Sequence, residues 1–198
     1  MARLHFGGIV IATIVRGRRV RHSRARIMLR NRLRLLWEQH VYWTRMVITG
    51  IAFNSPDLDA SVTRLLRNVP DFEATLDQFY SRSEVETFGA LLRDHLVIAA
   101  DLVQAAKMGD NEAVAELTDR WYANADEIVQ HMRTMNPFWR PDEMRPMWRE
   151  HLDLTLKEAV EILSGEYTDS VATFDRIEQQ ALQMADSFWR GIVRQFRL

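Results

Sequence analysis

The stretch Leu35-Leu-Trp-Glu-Gln-His-Val-Tyr-Trp-Thr-Arg-Met-Val-Ile48 carries the reading of the whole chain. Leu33, Leu36, His40, Trp43, Val47 and Gly50 recur at alternating steps of three and four, which places them on one stripe of a helix. The stripe has a histidine at its centre. The same theme returns as Leu91-Leu-Arg-Asp-His-Leu96 and as Met147-Trp-Arg-Glu-His-Leu152. His40, His95 and His151 each follow apolar residues and precede a Val or Leu. The chain reads as three versions of one helical unit.

Outward from these stretches the same periodicity continues. A first helix is expected over residues 23–53, stopped by Asn54-Ser-Pro-Asp57. Two short helices are expected over 58–66 and 71–80, with Pro70 in a first turn. Ser83 with Glu86 makes a capping box for a longer helix carrying Val85, Phe88, Leu92, His95, Ala99 and Leu102 inward, and Gly109 closes it. A helix over 111–135 turns Trp121, Ala125, Ile128 and Met132 inward. The next starts between Pro141 and Pro146, since neither proline suits a helix interior, and ends at Ser164-Gly165. The last covers 168–196, with Val171, Phe174, Glu178, Ala181, Ala185 and Phe188 inward. Trp37, Trp139 and Trp189 are expected to rim the bundle or to face a partner. No segment alternates at period two. The fold class is therefore all-α: an antiparallel bundle of four long helices, a long N-terminal helix and two short ones. The second half reads as a duplicated hairpin, with Asn124-Ala-Asp126 matched to Met184-Ala-Asp186.

Charge divides the chain in two. Residues 1–34 hold ten Arg and no acid, whereas the remainder has 16 basic and 27 acidic residues. Residues 1–30 are assigned to a basic arm and 31–198 to the bundle domain. Arg16, Arg18, Arg19, Arg21, Arg24 and Arg26 are the candidate contacts to an anionic membrane surface, or to the acidic body of the same or another subunit in a homo-oligomer. The apolar run 5–15 is about half the length of a bilayer-spanning helix, and its charges follow rather than precede it, unlike a secretory signal. A cytoplasmic or membrane-peripheral location is expected. Nucleic acid is disfavoured, because the arm lacks the interleaved aromatics of single-strand binders.

The rise per helical residue places His95, Asn124, Asp126 and His151 within about one turn of a common layer. Bundles build metal sites from such inward side chains, and imidazole with carboxylate suits a divalent transition metal. A metal site would draw on His95, His151 and Asp126, with His40 or Asp186 as a further ligand. The opposing reading is a polar layer, including Asn124, Glu158 and Glu178, in which buried groups satisfy one another. The opposing reading is favoured: Glu-x-x-His and His-Glu-x-x-His are both absent, as are cysteine and any Gly-rich phosphate loop. No nucleophile or oxyanion hole accompanies the carboxylates, so a non-enzymatic binding or assembly role is expected, with metal or cofactor binding as the alternative.

Leu36-Trp-Glu-Gln-His-Val-Tyr-Trp-Thr-Arg45, Asp94-His-Leu-Val-Ile-Ala-Ala100, Ala105-Ala-Lys-Met-Gly-Asp110, Trp121-Tyr-Ala-Asn-Ala-Asp126 and Ile177-Glu-Gln-Gln-Ala-Leu-Gln-Met-Ala-Asp186 resemble a family of uncharacterised bacterial helical proteins. The resemblance covers residues 32–196 and implies one helical domain. Members are sometimes labelled acetylglutamate kinase. That activity requires an α/β sheet with Gly-rich phosphate turns, and this sequence has neither.

Overall fold

The computed structural model describes residues 8–198, with side chains from Arg24 onward. Seven helices make up the described chain: α1 (Gly8–Phe53), α2 (Leu58–Leu66), α3 (Asn68–Leu76), α4 (Arg82–Met108), α5 (Asn111–Met135), α6 (Pro141–Leu163) and α7 (Tyr167–Phe196). No strand occurs among the described residues, and no described helix is long and apolar enough to cross a membrane. The all-α bundle read from periodicity is the fold.

Helix ends follow local chemistry. Ser81 and Glu84 form the capping box of α4, two residues earlier than the Ser83–Glu86 pair that the sequence also offers. Gly109 ends α4 at φ 74°, a left-handed conformation that costs glycine nothing. Pro141 occupies the first turn of α6, as its fixed φ favours. Pro146 lies inside the same helix, contrary to expectation. It is tolerated because Pro146 and Asp142, whose carbonyl loses its partner, both face solvent. α3 begins at Asn68 rather than Asp71, so Pro70 sits third in its first turn.

The helices form three antiparallel hairpins. α1 pairs with α2 and α3, which act as one broken helix; α4 pairs with α5, and α6 with α7. The hairpins close into a ring through the seams α3–α4, α5–α6 and α7–α1. The helical unit thus occurs three times, as the three histidine stretches suggest, and the hairpin duplicated in the second half has a third copy in α1 with α2 and α3. Trp37, Leu92 and Trp148 occupy equivalent buried positions three residues before each histidine. On the second helices, Phe72, Ile128 and Met184 are equivalent, as are Leu76, Met132 and Phe188, all buried. Trp37 stands within 6 Å, centroid to centroid, of Phe72, Trp148 and Phe188.

Two rim and two inward assignments differ in the structure. Trp37 and Trp139 are core residues, each about 1% exposed, and not rim residues. Trp43 is only half-buried, with the Arg64 guanidinium over its ring. Val171 is exposed, because the first turn of α7 turns Ser170 and Thr173 inward instead.

Two glycines test this packing. A Cβ on Gly191 would stand 2.1 Å from Trp139 Nε1, on a buried ring that donates to the Phe188 carbonyl. A Cβ on Gly89 would meet only the flexible end of Glu73. Gly191→Ala is expected to destabilise the fold by about 1–3 kcal/mol through overpacking. Gly89→Ala is expected to stay within about 1 kcal/mol of the parent, since the helix-propensity gain offsets the displaced carboxylate. Urea unfolding of the two variants beside the parent checks the contrast.

Candidate functional site

The three histidines lie on the inner faces of α1, α4 and α6, each nearly inaccessible to solvent. Each is held the same way. His40 Nδ1 lies 3.1 Å from the Asn68 carboxamide oxygen, and Asn68 Nδ2 donates to the Leu36 carbonyl at 3.0 Å. His95 Nδ1 lies 2.9 Å from the Asn124 oxygen, and Asn124 Nδ2 donates to the Leu91 carbonyl at 3.1 Å. His151 Nδ1 lies 3.1 Å from the Gln180 oxygen, and Gln180 Nε2 donates to the Met147 carbonyl at 2.8 Å. In each clasp the second helix grips the histidine and a backbone carbonyl one turn before it.

This pattern sets the tautomer. An amide nitrogen that donates to a carbonyl leaves its oxygen facing the ring, and that oxygen can only accept. Nδ1 therefore carries the proton and Nε2 is a bare acceptor. His40 and His151 approach to 5.5 Å between ring centroids, and His95 stacks on Trp121 at 5.3 Å. The buried His95 Nε2 makes no hydrogen bond within the described residues, nor do the indole nitrogens of Trp37 and Trp148. Burial pushes His40 down to about 4, opposed by its bond to Asn68. Burial, with His40 nearby, pushes His95 down to about 3. His151 is likewise held well below its ordinary value, first by burial and then by the other two rings. All three are neutral near pH 7.

Beyond the layer the axis loosens. A cavity of about 30 Å³ is lined by Thr44, Ala99 and Thr155, one turn after the three histidines, together with Val47, Leu96 and Trp121. Its walls are mostly apolar, because the Thr44 and Thr155 hydroxyls donate to the His40 and His151 carbonyls.

The expected carboxylates do not join the histidines. Asp126 accepts from Arg145 Nε at 3.0 Å and from Arg149 at 2.7 Å, on the outside of the α5–α6 seam. Asp186 accepts from Arg30 Nε and Nη2, at 2.9 and 2.8 Å, and from Arg34 at 3.1 Å. These hydrogen bonds, Arg30 first, hold Asp186 below the usual carboxylate range. The reason is angular. Asp126 follows the inward Asn124 by two residues, and Asp186 follows the inward Met184 by two; a step of two residues turns a helix through about 200°. Among the described residues no three His, Asp or Glu side chains are placed to hold a metal ion together. The ligand set His95, His151 and Asp126, with His40 or Asp186, is therefore not assembled.

Glu158 is buried as expected, but in a different polar cluster. It accepts from Arg45, which also donates to the Ser170 carbonyl at 3.2 Å. Burial pushes Glu158 up to about 7, with Arg45 pulling the other way. Glu178 is half-buried and near Glu38, whose carboxyl is raised by burial and then by Glu178. Arg24 and Arg26 are exposed, whereas the side chains of Arg16, Arg18, Arg19 and Arg21 lie outside the described residues. Sequence reasoning missed Asn68 and Gln180. The signal was present: each clasp partner follows its histidine by 28 or 29 residues.

The clasps make the fold acid-labile. Unfolded histidine binds a proton near pH 6.5, and these folded rings resist it to much lower pH. Their contribution is complete above about pH 6.5 and is lost as pH falls toward the folded values. Stability should drop by up to about 4 kcal/mol per pH unit below pH 6, the limit for three protons taken up on unfolding. Replacing one clasp by a His95→Leu/Asn124→Leu pair should lower that limit to two protons, measured as urea midpoint against pH. An unchanged slope would show that His95 is not buried neutral. Set beside protein-family models, curated proteins and solved structures, the chain matches none of them.

Proposed function

We propose that this chain is a non-enzymatic helical-bundle protein of binding and assembly, attached through its basic N-terminal arm to an anionic membrane surface. The observation that carries this reading is the segregation of charge: ten Arg and no acid in residues 1–34, against a net −11 in the rest. Such an asymmetry directs one end of a molecule to an anionic surface while the other is repelled by it. The root of the arm is anchored to suit. Arg26 donates to the Leu198 carbonyl, Trp189 Nε1 donates to the Arg26 carbonyl at 3.0 Å, and Arg30 and Arg34 share Asp186. α1 is thereby held against the last turns of α7. The histidine Nδ1 atoms are engaged with amides, and Asp126, Asp186 and Glu158 with arginines.

The test is sedimentation with vesicles of phosphatidylcholine alone and of phosphatidylcholine with phosphatidylglycerol. The full chain should bind only the anionic vesicles, and binding should weaken as salt rises. Replacing Arg16, Arg18, Arg19 and Arg21 together by Gln should weaken it at least a hundredfold, at about 1 kcal/mol for each arginine near the surface. Equal binding by the parent and the variant would refute the role of the arm. If vesicles are ignored but the substitutions dissolve an oligomer, the arm engages the acidic body of a second subunit instead.

A further inference from the structure

A groove of about 300 Å³ opens between the start of α6 and the end of α7. Met144, Met147, Trp189 and Val193 give it an apolar lining, and Arg190 and Arg194 border it, with Glu143 on the opposite rim. The two arginines are four residues apart, on one face of α7, and both are exposed. Neither has a carboxylate within ion-pair distance among the described residues; Arg190 donates to Ser187 Oγ at 2.7 Å, and Arg194 lies 4.4 Å over the Phe138 ring. Trp189 is half-buried and spends its indole N–H on the Arg26 carbonyl, at the root of the arm. Arg26, itself exposed, donates in turn to the Leu198 carbonyl, which keeps this part of α1 against the end of α7.

We infer that this groove seats one anionic phospholipid, its phosphate on Arg190 and Arg194 and the start of its acyl chain over Met144 and Met147. The inference rests on the membrane-surface reading above and gives it a binding site. Charge complementarity selects the occupant: two unpaired guanidiniums favour a phosphate, whose oxygens match their planar donors. The apolar floor beside them selects a molecule that continues into hydrocarbon. An indole at the rim suits the boundary between headgroup and chain, where one edge is wet and the other apolar. A soluble phosphate would leave the floor uncovered, and an acidic peptide would need no arm beside it.

The experiment uses the full chain and the same two vesicle types. Arg190→Gln/Arg194→Gln is expected to weaken binding to anionic vesicles about 30-fold with the arm intact. Met147→Glu is expected to weaken it as well, by placing a charge where the chain would lie. Trp189 emission, taken as the difference between the parent and Trp189→Phe, should shift to the blue on anionic vesicles and not on neutral ones. Circular dichroism and urea midpoints confirm that each variant is folded. Unchanged affinity in the arginine pair, or an unmoved Trp189 signal, overturns the groove while leaving the arm intact. Loss of binding in the arm variant, with none in the groove variants, has the same meaning. Residual binding by the arm variant that the groove substitutions abolish would keep the groove and discard the arm as its carrier. Release from vesicles by inorganic phosphate at ionic strengths where chloride is inert would reassign the arginines to a free anion and overturn the lipid.

Discussion

A neutral imidazole that donates to a side-chain amide, which donates in turn to a carbonyl one turn upstream, is the constraint on which this bundle depends. The amide cannot reach both targets unless the two helices of a hairpin are at one depth and one rotation. Sliding a helix by one residue turns it through about 100° and strands a buried donor and acceptor together. Apolar packing alone tolerates several registers, whereas a buried polar pair tolerates one. Three such clasps, one in each hairpin, fix the register within each hairpin.

The clasps also divide the core along its length. On one side stand Trp37, Trp148, Phe72, Phe88 and Phe188, in edge-to-face and tilted contacts. On the other stand Thr44, Ala99, Ala100, Thr155 and Ala159, around the small cavity. Large rings need partners on all sides and fill the axis; small side chains let α1, α4 and α6 approach but leave a gap where three convex surfaces meet. The histidine layer is the boundary between the two regimes. Its rings are flat enough to pack under the tryptophans and polar enough to be positioned by amides. A phenylalanine there would fill the space without being told where to sit.

Much of this was legible in the sequence, and the parts that were not share a cause. Periodicity gave α4 to α7 and their inward faces, because helices of 23 to 30 residues repeat the stripe enough times to average out exceptions. It also gave the inward His40, His95 and His151. The partners were harder. Asn124 was matched to Met184, one turn from its true counterpart Gln180, because Ala-Asp follows both and drew the alignment. Depth alone puts Asp126 in the layer, and depth ignores rotation. Trp37 was given to the rim because it neighbours Leu36 on the stripe; in a helix contacted by five others, the apolar face is wider than one stripe. α2 and α3 hid the first repeat, since a broken helix does not look like the unbroken α5 and α7 that it matches.

A core built three times over raises a problem of its own, since three similar hairpins could close in either order or pair with those of another chain. The seams answer it. At equivalent positions on the first helices, Arg34 binds Asp186 across the α7–α1 seam and Arg145 binds Asp126 across the α5–α6 seam. The α3–α4 seam has Gly89 at that position, and the Glu73 carboxyl lies in the space a side chain would fill. An arginine seam needs an acid facing it, and the glycine seam needs an acid lying over bare backbone; neither surface substitutes for the other. Arg45 with Glu158 adds a fourth link, from α1 to α6, at which Glu158 is buried and would be stranded by any other neighbour. Individually such pairs contribute little to stability. Their effect is in the difference between closures: a wrong order leaves arginines without acids and one carboxylate in the dry core, and that penalty is several times larger than any single pair. The apolar and histidine layers make a hairpin, and the unequal charges at its edges decide which hairpin it stands beside.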